Sequence, residues 1–427
     1  MQLLSFYKLF LQQQQRFTTD TRNINQGDVF FALKGANFNG NLFAEKALQL
    51  GASYVVVDEE TGQNDERIVQ VPDVLSFMQQ LATHHRKQFN IPIVAIAGSN
   101  GKTTTKELLI SVLQTKFKVH ATKGNLNNHI GVPMTLLSMK PETEMALIEI
   151  GTNNFGEIAF LCSLLQPNYG LITNIGKEHL EGFGDLEGVA KEESELYQFL
   201  LKNNGLAFVN HDDFYLNRMS HRLSKKVGYS VFDRSIGVYL VVKSFSPSLE
   251  LMFADTEFYS VLNGNHNAQN IAAAVAVGHH FGLTNQQLKA GIESYVPSNN
   301  RSEIKHIGSN HFLLDAYNAN PSSMEAAIDS FAALKSDKKI ILLGDMFELG
   351  ETAFEEHQAI AQKALSVPHC QCFFAGETFN KVINNANQAF KTTSELSAYL
   401  KNQHIENTWF LIKGSRGMKM EQVLEVF

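Results

Sequence analysis

The run Gly98-Ser99-Asn100-Gly101-Lys102-Thr103-Thr104 carries the strongest chemical signal in the chain. Backbone N–H groups of a glycine turn can converge on an anion, and a helix beginning there adds the positive end of its dipole. Lys102 would reach the outer phosphates of a nucleotide, and the Thr103 hydroxyl would hold Mg²⁺. The strict phosphate-loop spacing asks for glycine where Ile96 stands, so this loop is a shortened variant. A glycine turn with a surface lysine is the bland alternative.

Two further residues suit a cation beside those phosphates. Glu149 ends the otherwise apolar run Met145-Ala146-Leu147-Ile148-Glu149-Ile150, where a carboxylate is costly without a cation or donors. His179 follows the run Tyr169 to Ile175, at the strand edge where open parallel sheets bind ligands. Arg301 is a ready partner for a γ-phosphate, and Asp315 stands at the end of another apolar run. The amide-rich stretch Lys123 to Pro133 could bond a sugar or peptide, or be a plain loop. Asn263 to Asn270 could cap an alanine-rich helix or face a base, and capping alone accounts for Asn320. The pairs His84-His85 and His279-His280 read as helix-surface or helix-end residues without a role.

These groups need elements to hold them. Ile93 to Ala97 is an unbroken apolar strand of a sheet covered on both faces, and Thr104 to Phe117 places Leu108, Leu109, Val112 and Leu113 on one helical stripe. Before them, strands are predicted at Asp28 to Leu33 and Ala52 to Val57, around a helix near Ala44 to Leu50. Leu206 to Val209, Phe312 to Leu314, Ile340 to Leu343, Phe373-Phe374 and Phe410 to Ile412 read as further strands separated by helical stretches. The alternation predicts an α/β protein of three blocks: a small N-terminal α/β block at 1–88, a central parallel-sheet block at 89–298 and a doubly wound, Rossmann-like block at 299–427.

With 427 residues, several cores can be buried. Lys and Arg number 36 against 43 Asp and Glu, and the net charge of −7 argues against a nucleic-acid or anionic-membrane surface. Any bound phosphate must be gripped locally. No apolar run reaches the roughly 18 residues of a membrane span, and Met1 to Gln15 lacks a signal-peptide core, so a cytoplasmic location is expected. The three cysteines, Cys162, Cys370 and Cys372, read as reduced structural thiols.

Taken in order, several segments resemble the Mur ligase family over essentially the whole chain: Thr19-Asp20-Thr21-Arg22, the GSNGKTTTK loop, GNLNNHIGVP, IEIG, TNIGKEHLEGFG, GNHNAQN, DAYNANPSSM, Gly344-Asp345-Met346 with Glu348-Leu349-Gly350, and Lys413-Gly414-Ser415-Arg416. YNANP, GDM-x-ELG and KGSR point to the branch that adds D-alanyl-D-alanine to a UDP-muramoyl-tripeptide. The resemblance implies an N-terminal domain for the uridine nucleotide, a central ATPase and a closing C-terminal domain. It implies ATP and Mg²⁺ as cofactors, the UDP-N-acetylmuramoyl-tripeptide and D-alanyl-D-alanine as substrates, and a monomer.

Residue by residue, the resemblance places Thr21 and Arg22 near the uracil nucleotide, and Asn127, Asn128 and Thr152 near the muramoyl-peptide. The loop Gly98 to Thr104 would bind phosphate, with Thr103, Glu149 and His179 on the metal side. Asn267 and Asn270 would face adenine. Arg301, Asp315 and Asn318 would complete the nucleotide site, and Lys413 and Arg416 would lie near the incoming dipeptide. The family usually carries a carbamylated lysine where this chain has Glu193, with Lys191 two residues early; Glu193 is expected to supply the metal-side carboxylate directly. Asn39-Gly40-Asn41 stands where Asp-Gly-His is common. A phosphoryl-transferring kinase or plain ATPase would leave YNANP and KGSR without work. An inactive relative that binds nucleotide-sugar is the other alternative.

Overall fold

The computed structural model describes residues 3–62, 64–298, 300–383, 385 and 387–427; Met1 and Asn299, the predicted first residues of the first and third blocks, lie outside the described residues. The chain is α/β throughout. Four short parallel strands, Phe17–Thr18, Val29–Phe31, Tyr54–Val57 and Ile68–Gln70, form the N-terminal sheet in that order, with the predicted helix at Ala44–Gln49 between the middle two. Their apolar residues are short runs bounded by Gly, Asn and Asp, which keeps each strand to a few residues.

The helix Val74–Arg86 joins this unit to the next. Asp73 caps it by accepting the Ser76 N–H at 2.7 Å. Its buried residues Phe77, Met78, Leu81 and Ala82 share one hydrophobic cluster with Val132, Leu136, Leu161 and Leu165. The core therefore runs unbroken past residue 88. His85 corrects the surface reading of the histidine pair: it is only 1% exposed, bonded to Tyr7 Oη at 2.8 Å and to the Met139 carbonyl at 3.0 Å. His279 and His280 do end a helix, Asn265–His280, and are exposed.

The central sheet has seven strands, all parallel, with Ile93–Ala97 near the middle between Tyr169–Ile172 and Met145–Glu149. All five residues of Ile93–Ala97 are buried, as the unbroken apolar run requires when helices cover both faces. The chain leaves this strand for one side of the sheet and later crosses to the other, so the crevice at its carboxyl end is a topological switch point. A three-stranded antiparallel sheet, Val241–Ser244, Leu249–Phe253 and Thr256–Ser260, was not anticipated. Its alternate residues Leu249 and Leu251 are buried in a cluster with Leu108, Val112 and Ile271.

The C-terminal sheet has six strands in the order Glu303–Ile307, Asn310–Asp315, Trp409–Lys413, Lys339–Gly344, Cys370–Ala375 and Ala389–Phe390. Only the first pairs antiparallel. Separate apolar clusters cover its two faces, one around Phe331 and Phe374 and one around Phe312 and Phe410. That is the predicted doubly wound arrangement. Cys162, Cys370 and Cys372 are free thiols.

Candidate active site

The loop leaves the central strand at Gly98, whose φ of 109° only glycine tolerates easily; a Cβ there would lie 2.3 Å from Thr173 Oγ1. Gly101, at φ 79°, turns the chain into the helix Lys102–Leu113. Lys102 Nζ folds back onto the Gly98 and Ser99 carbonyls and lies 3.6 Å from Glu178 Oε2. Burial alone would depress this ammonium, but Glu178, Glu193 and Glu149 more than offset it and hold the group above its ordinary value.

Glu149 owes its place to strand register, since Ile96 pairs with it two residues before Gly98. Its carboxylate accepts from Thr103 Oγ1 at 3.0 and 3.2 Å and from Asn127 Nδ2 at 3.0 Å, with Lys106 Nζ 3.3 Å away. Glu193 projects from the long helix Leu186–Lys202 and accepts the Gly98 N–H at 2.8 Å. Burial and the neighbouring Glu178 carboxylate push it up to about 8. Lys191, by contrast, is exposed and lies 5.2 Å over the Phe155 ring.

The C-terminal domain closes the other wall. Asp315 pairs with Lys413 at 2.5 Å; burial would raise its carboxyl, yet Lys413, His266 and Arg301 hold it below the ordinary range. Burial pushes His266 down to about 4. The Arg301 guanidinium sits 3.7 Å over the Tyr317 ring. Asn320 caps the helix Pro321–Ala332 and also donates to Asn100 Oδ1 at 2.8 Å, which ties the two domains at the phosphate loop. His179 Nδ1 meets Glu348 Oε2 at 2.6 Å, and that hydrogen bond holds the Glu348 carboxyl below its ordinary value.

Between these walls lies a cavity of about 630 Å³. It is lined by Ser99, Asn100, Gly101, Lys102, Thr103, Thr104, Asn127, Asn128, Glu149, Thr152, His179, Asn267, Asn270, Arg301, Asp315, Asn318 and Lys413 among others, so it gathers most of the residues singled out in the sequence. Five do not line it with them. Gly98 and Glu193 lie beneath the loop, bonded to each other. Arg416 pairs with Glu421 at 3.0 Å and lies 5.9 Å from the centre of the Tyr317 ring, which does line the cavity. Thr21 and Arg22 belong to a short helix of the N-terminal domain, with Arg22 in solvent and bonded to Asp20.

Sequence reasoning missed Lys106, Glu178 and Glu348. Lys106 stands in the GSNGKTTTK segment without a role of its own, although it is 2% exposed; its distance from Lys102, one helical turn, was the available signal. Glu178 stood beside His179 without being weighed. Glu348 reaches the site from another domain; the Glu348-Leu349-Gly350 segment in which it stands was quoted for the family resemblance but gave it no role.

Among the described residues, no three His, Cys, Asp or Glu side chains form a ready-made metal cluster. Mg²⁺ does not need one, because it keeps water and phosphate oxygens and takes one or two protein ligands. The donors present fit that demand: Thr103 and Glu149 touch, and one carboxylate oxygen each of Glu178 and Glu193 is buried without a hydrogen-bond partner.

Models of three Mur ligase domains match the chain: "Mur ligase family, catalytic domain" at 15–86, "Mur ligase middle domain" at 96–278 and "Mur ligase, glutamate ligase domain" at 300–416. The UDP-N-acetylmuramoyl-tripeptide–D-alanyl-D-alanine ligase of Bacillus subtilis is 32% identical, covering 95% of this chain and 92% of its own. The enzyme of the same name from Escherichia coli is 33% identical over 95% and 92%. The crystal structure of MurF from Acinetobacter baumannii superposes with a TM-score of 0.87 at 29% identity, over 96% of this chain and 92% of its own. MurF ligase from Thermotoga maritima, solved with ADP, gives 0.84 at 26% identity over 96% of both chains. The α/β architecture, the phosphate loop at a switch point and these likenesses over nearly the full length agree: the chain belongs to the Mur ligase family.

Proposed function

We propose that this enzyme joins D-alanyl-D-alanine to UDP-N-acetylmuramoyl-tripeptide with cleavage of ATP to ADP and phosphate, giving the UDP-muramoyl-pentapeptide precursor of peptidoglycan. The observation that carries this reading is the cavity itself. It sets a phosphate loop with its lysine against Arg301, Asp315 and Lys413 of a second domain, in a chain similar over nearly its full length to ligases of that name.

A peptide carboxylate is too weak an electrophile for an amine to attack. Its oxygen would first attack the γ-phosphorus of ATP, releasing ADP and leaving an acyl phosphate. That approach brings two anions together, and Lys102 and Arg301 would screen them as fixed positive groups. Asn127, Asn128 and Thr152 lie on the cavity wall where the tripeptide would be held, and Asn267 and Asn270 where adenine would sit. The free amine of D-alanyl-D-alanine would then attack the acyl carbon, expelling phosphate, while the closed C-terminal domain excludes water. Thr21 and Arg22 would serve the uridine end, and Arg416 the dipeptide side.

Mg²⁺ would neutralise charge on the transferring phosphates. Thr103, Glu149 and His179 would hold it, with Glu193 supporting the metal side from beneath Gly98. We read the enzyme as a cytoplasmic monomer. Among the described residues no helix is long and apolar enough to cross a membrane.

The test is ADP release with each substrate withheld in turn, with product mass recorded. Sustained release is expected only when the UDP-muramoyl-tripeptide and the dipeptide are both present. ATP turnover without a joined product, or turnover that ignores the dipeptide, would reject the reading.

A further inference from the structure

His179 is held from outside its own domain. It lies in the left-handed region at φ 45°, a costly conformation for a residue with a side chain, and its partner Glu348 does the same at φ 63°. The two side chains meet at 2.6 Å, and the Glu348 backbone carbonyl also accepts the Glu181 N–H at 3.3 Å. A carboxylate accepts, so His179 Nδ1 is the donor of this pair, and Nε2 is the nitrogen left to meet a cation. Nε2 is the nitrogen on the side of Glu178, 3.8 Å from its Oε2, and His179 lines the cavity.

Glu348 follows the strand Lys339–Gly344 of the C-terminal domain, whereas His179 follows the strand Tyr169–Ile172 of the central one. Their bond can exist only while the two domains are together. A ring released from Glu348 could rotate or exchange tautomers, and Nε2 would no longer be committed to the cavity.

We propose that Glu348 is a positioning residue delivered by domain closure: it fixes the tautomer and ring plane of His179, so the cation-facing nitrogen is presented only in the closed enzyme. The proposal rests on the magnesium-nucleotide reading of the site. It makes completion of the metal side conditional on the domain that brings Asp315 and Lys413, so the phosphates would not be fully gripped before water is shut out.

The alternative is that Glu348 is a latch and nothing more. Lys177 Nζ and Glu356 Oε1, 2.6 Å apart across the same two domains, supply the control, because their loss loosens closure without touching His179. The experiment measures Mn²⁺ affinity of the ADP-loaded full-length protein by electron paramagnetic resonance, for wild type, E348A, E348Q and E356Q. X-ray scattering on the same samples reports closure. E348A is expected to weaken Mn²⁺ binding by about 10- to 100-fold, as for other partners that orient a metal-binding histidine. E348Q keeps an acceptor oxygen for Nδ1–H and should stay within a few-fold of wild type, as should E356Q. Unchanged affinity in E348A, or a loss in E348A no greater than that of an E356Q sample that scatters as equally open, would overturn the proposal. Failure of ADP-loaded wild type to bind Mn²⁺ would instead reject the magnesium-nucleotide reading beneath it.

Discussion

The central domain meets its two neighbours through seams of opposite character. Toward the N-terminal domain the seam is a shared hydrophobic interior in which Met78, Leu81 and Ala82 pack with Val132, Leu136 and Leu161. His85 and Arg86 are buried and bonded in it: His85 links Tyr7 to Met139, and Arg86 donates to the Leu165 and Gln166 carbonyls at 2.9 Å each. Toward the C-terminal domain the contacts around the site are mainly polar pairs, with Leu180 the buried apolar residue that joins that domain's cluster: Asn320 to Asn100 and Lys177 N–H to Ser322 Oγ at 2.8 Å, Lys177 to Glu356 and His179 to Glu348 at 2.6 Å. Parting the first would return apolar surface to water at roughly 25 cal/mol per Å². Parting the second exposes Leu180 but otherwise exchanges protein hydrogen bonds for water at little net cost. On the proposed function, the substrate's nucleotide end would be fixed to the central sheet, while the dipeptide side would be free to close.

Cutting into the apolar seam should give the largest effect. Leu81 is fully buried, and Leu81→Ala is expected to destabilise the N-terminal and central domains together by about 2–5 kcal/mol. The chain has a single tryptophan, Trp409, in the C-terminal sheet, so its fluorescence reports that domain while circular dichroism reports all three. In urea the dichroism transition should move and the Trp409 transition should stay behind. If the two shift together, the seams do not differ as described.

A smaller effect follows from His85 in the same seam. Burial holds its imidazole below the ordinary value, so the folded protein keeps it neutral where the unfolded chain, near 6.5, takes up a proton. The unfolded state then binds more protons, and stability falls as pH drops below about 6.5 toward the folded value; above that it is fully present. Urea midpoints by dichroism between pH ~5.5 and ~7.5 should therefore slope more steeply for wild type than for His85→Gln. Parallel slopes would show that His85 is not the acid-sensitive joint.

The difference between the seams also marks what could be read from sequence. The strand Ile93–Ala97, its loop and the helix after it were legible because each is a local pattern: an apolar run, glycines at positive φ, a stripe at helical spacing. Glu149 was legible as a charge where none should be. His85 was not, since a histidine at a helix end reads the same whether solvent or Tyr7 and Met139 surround it. The sheet from Val241 to Ser260 was missed because its strands are short and their residue types do not follow the burial: Met252 faces outward in Leu249–Phe253, and Ser260 inward in Thr256–Ser260. Lys106 and Glu348 were hidden for a different reason: each gains its meaning from a partner distant in sequence, Glu149 and His179.

The polar seam yields the smallest change in stability and sharpens the comparison most. Lys177 is 40% exposed and Glu356 14%, so the pair is partly screened, and Lys177→Met should alter stability by no more than about 1 kcal/mol. Both urea transitions should stay near wild type. A comparable free energy has a different weight in the open–closed balance, because two states a few kcal/mol apart respond several-fold to one. The variant should therefore scatter as a more open molecule and show a raised KM for the dipeptide. Its dependence on the UDP-substrate, held across the apolar seam, should hardly move. Equal changes in both KM values would mean that the two seams open together, and the division of labour between them would have to be given up.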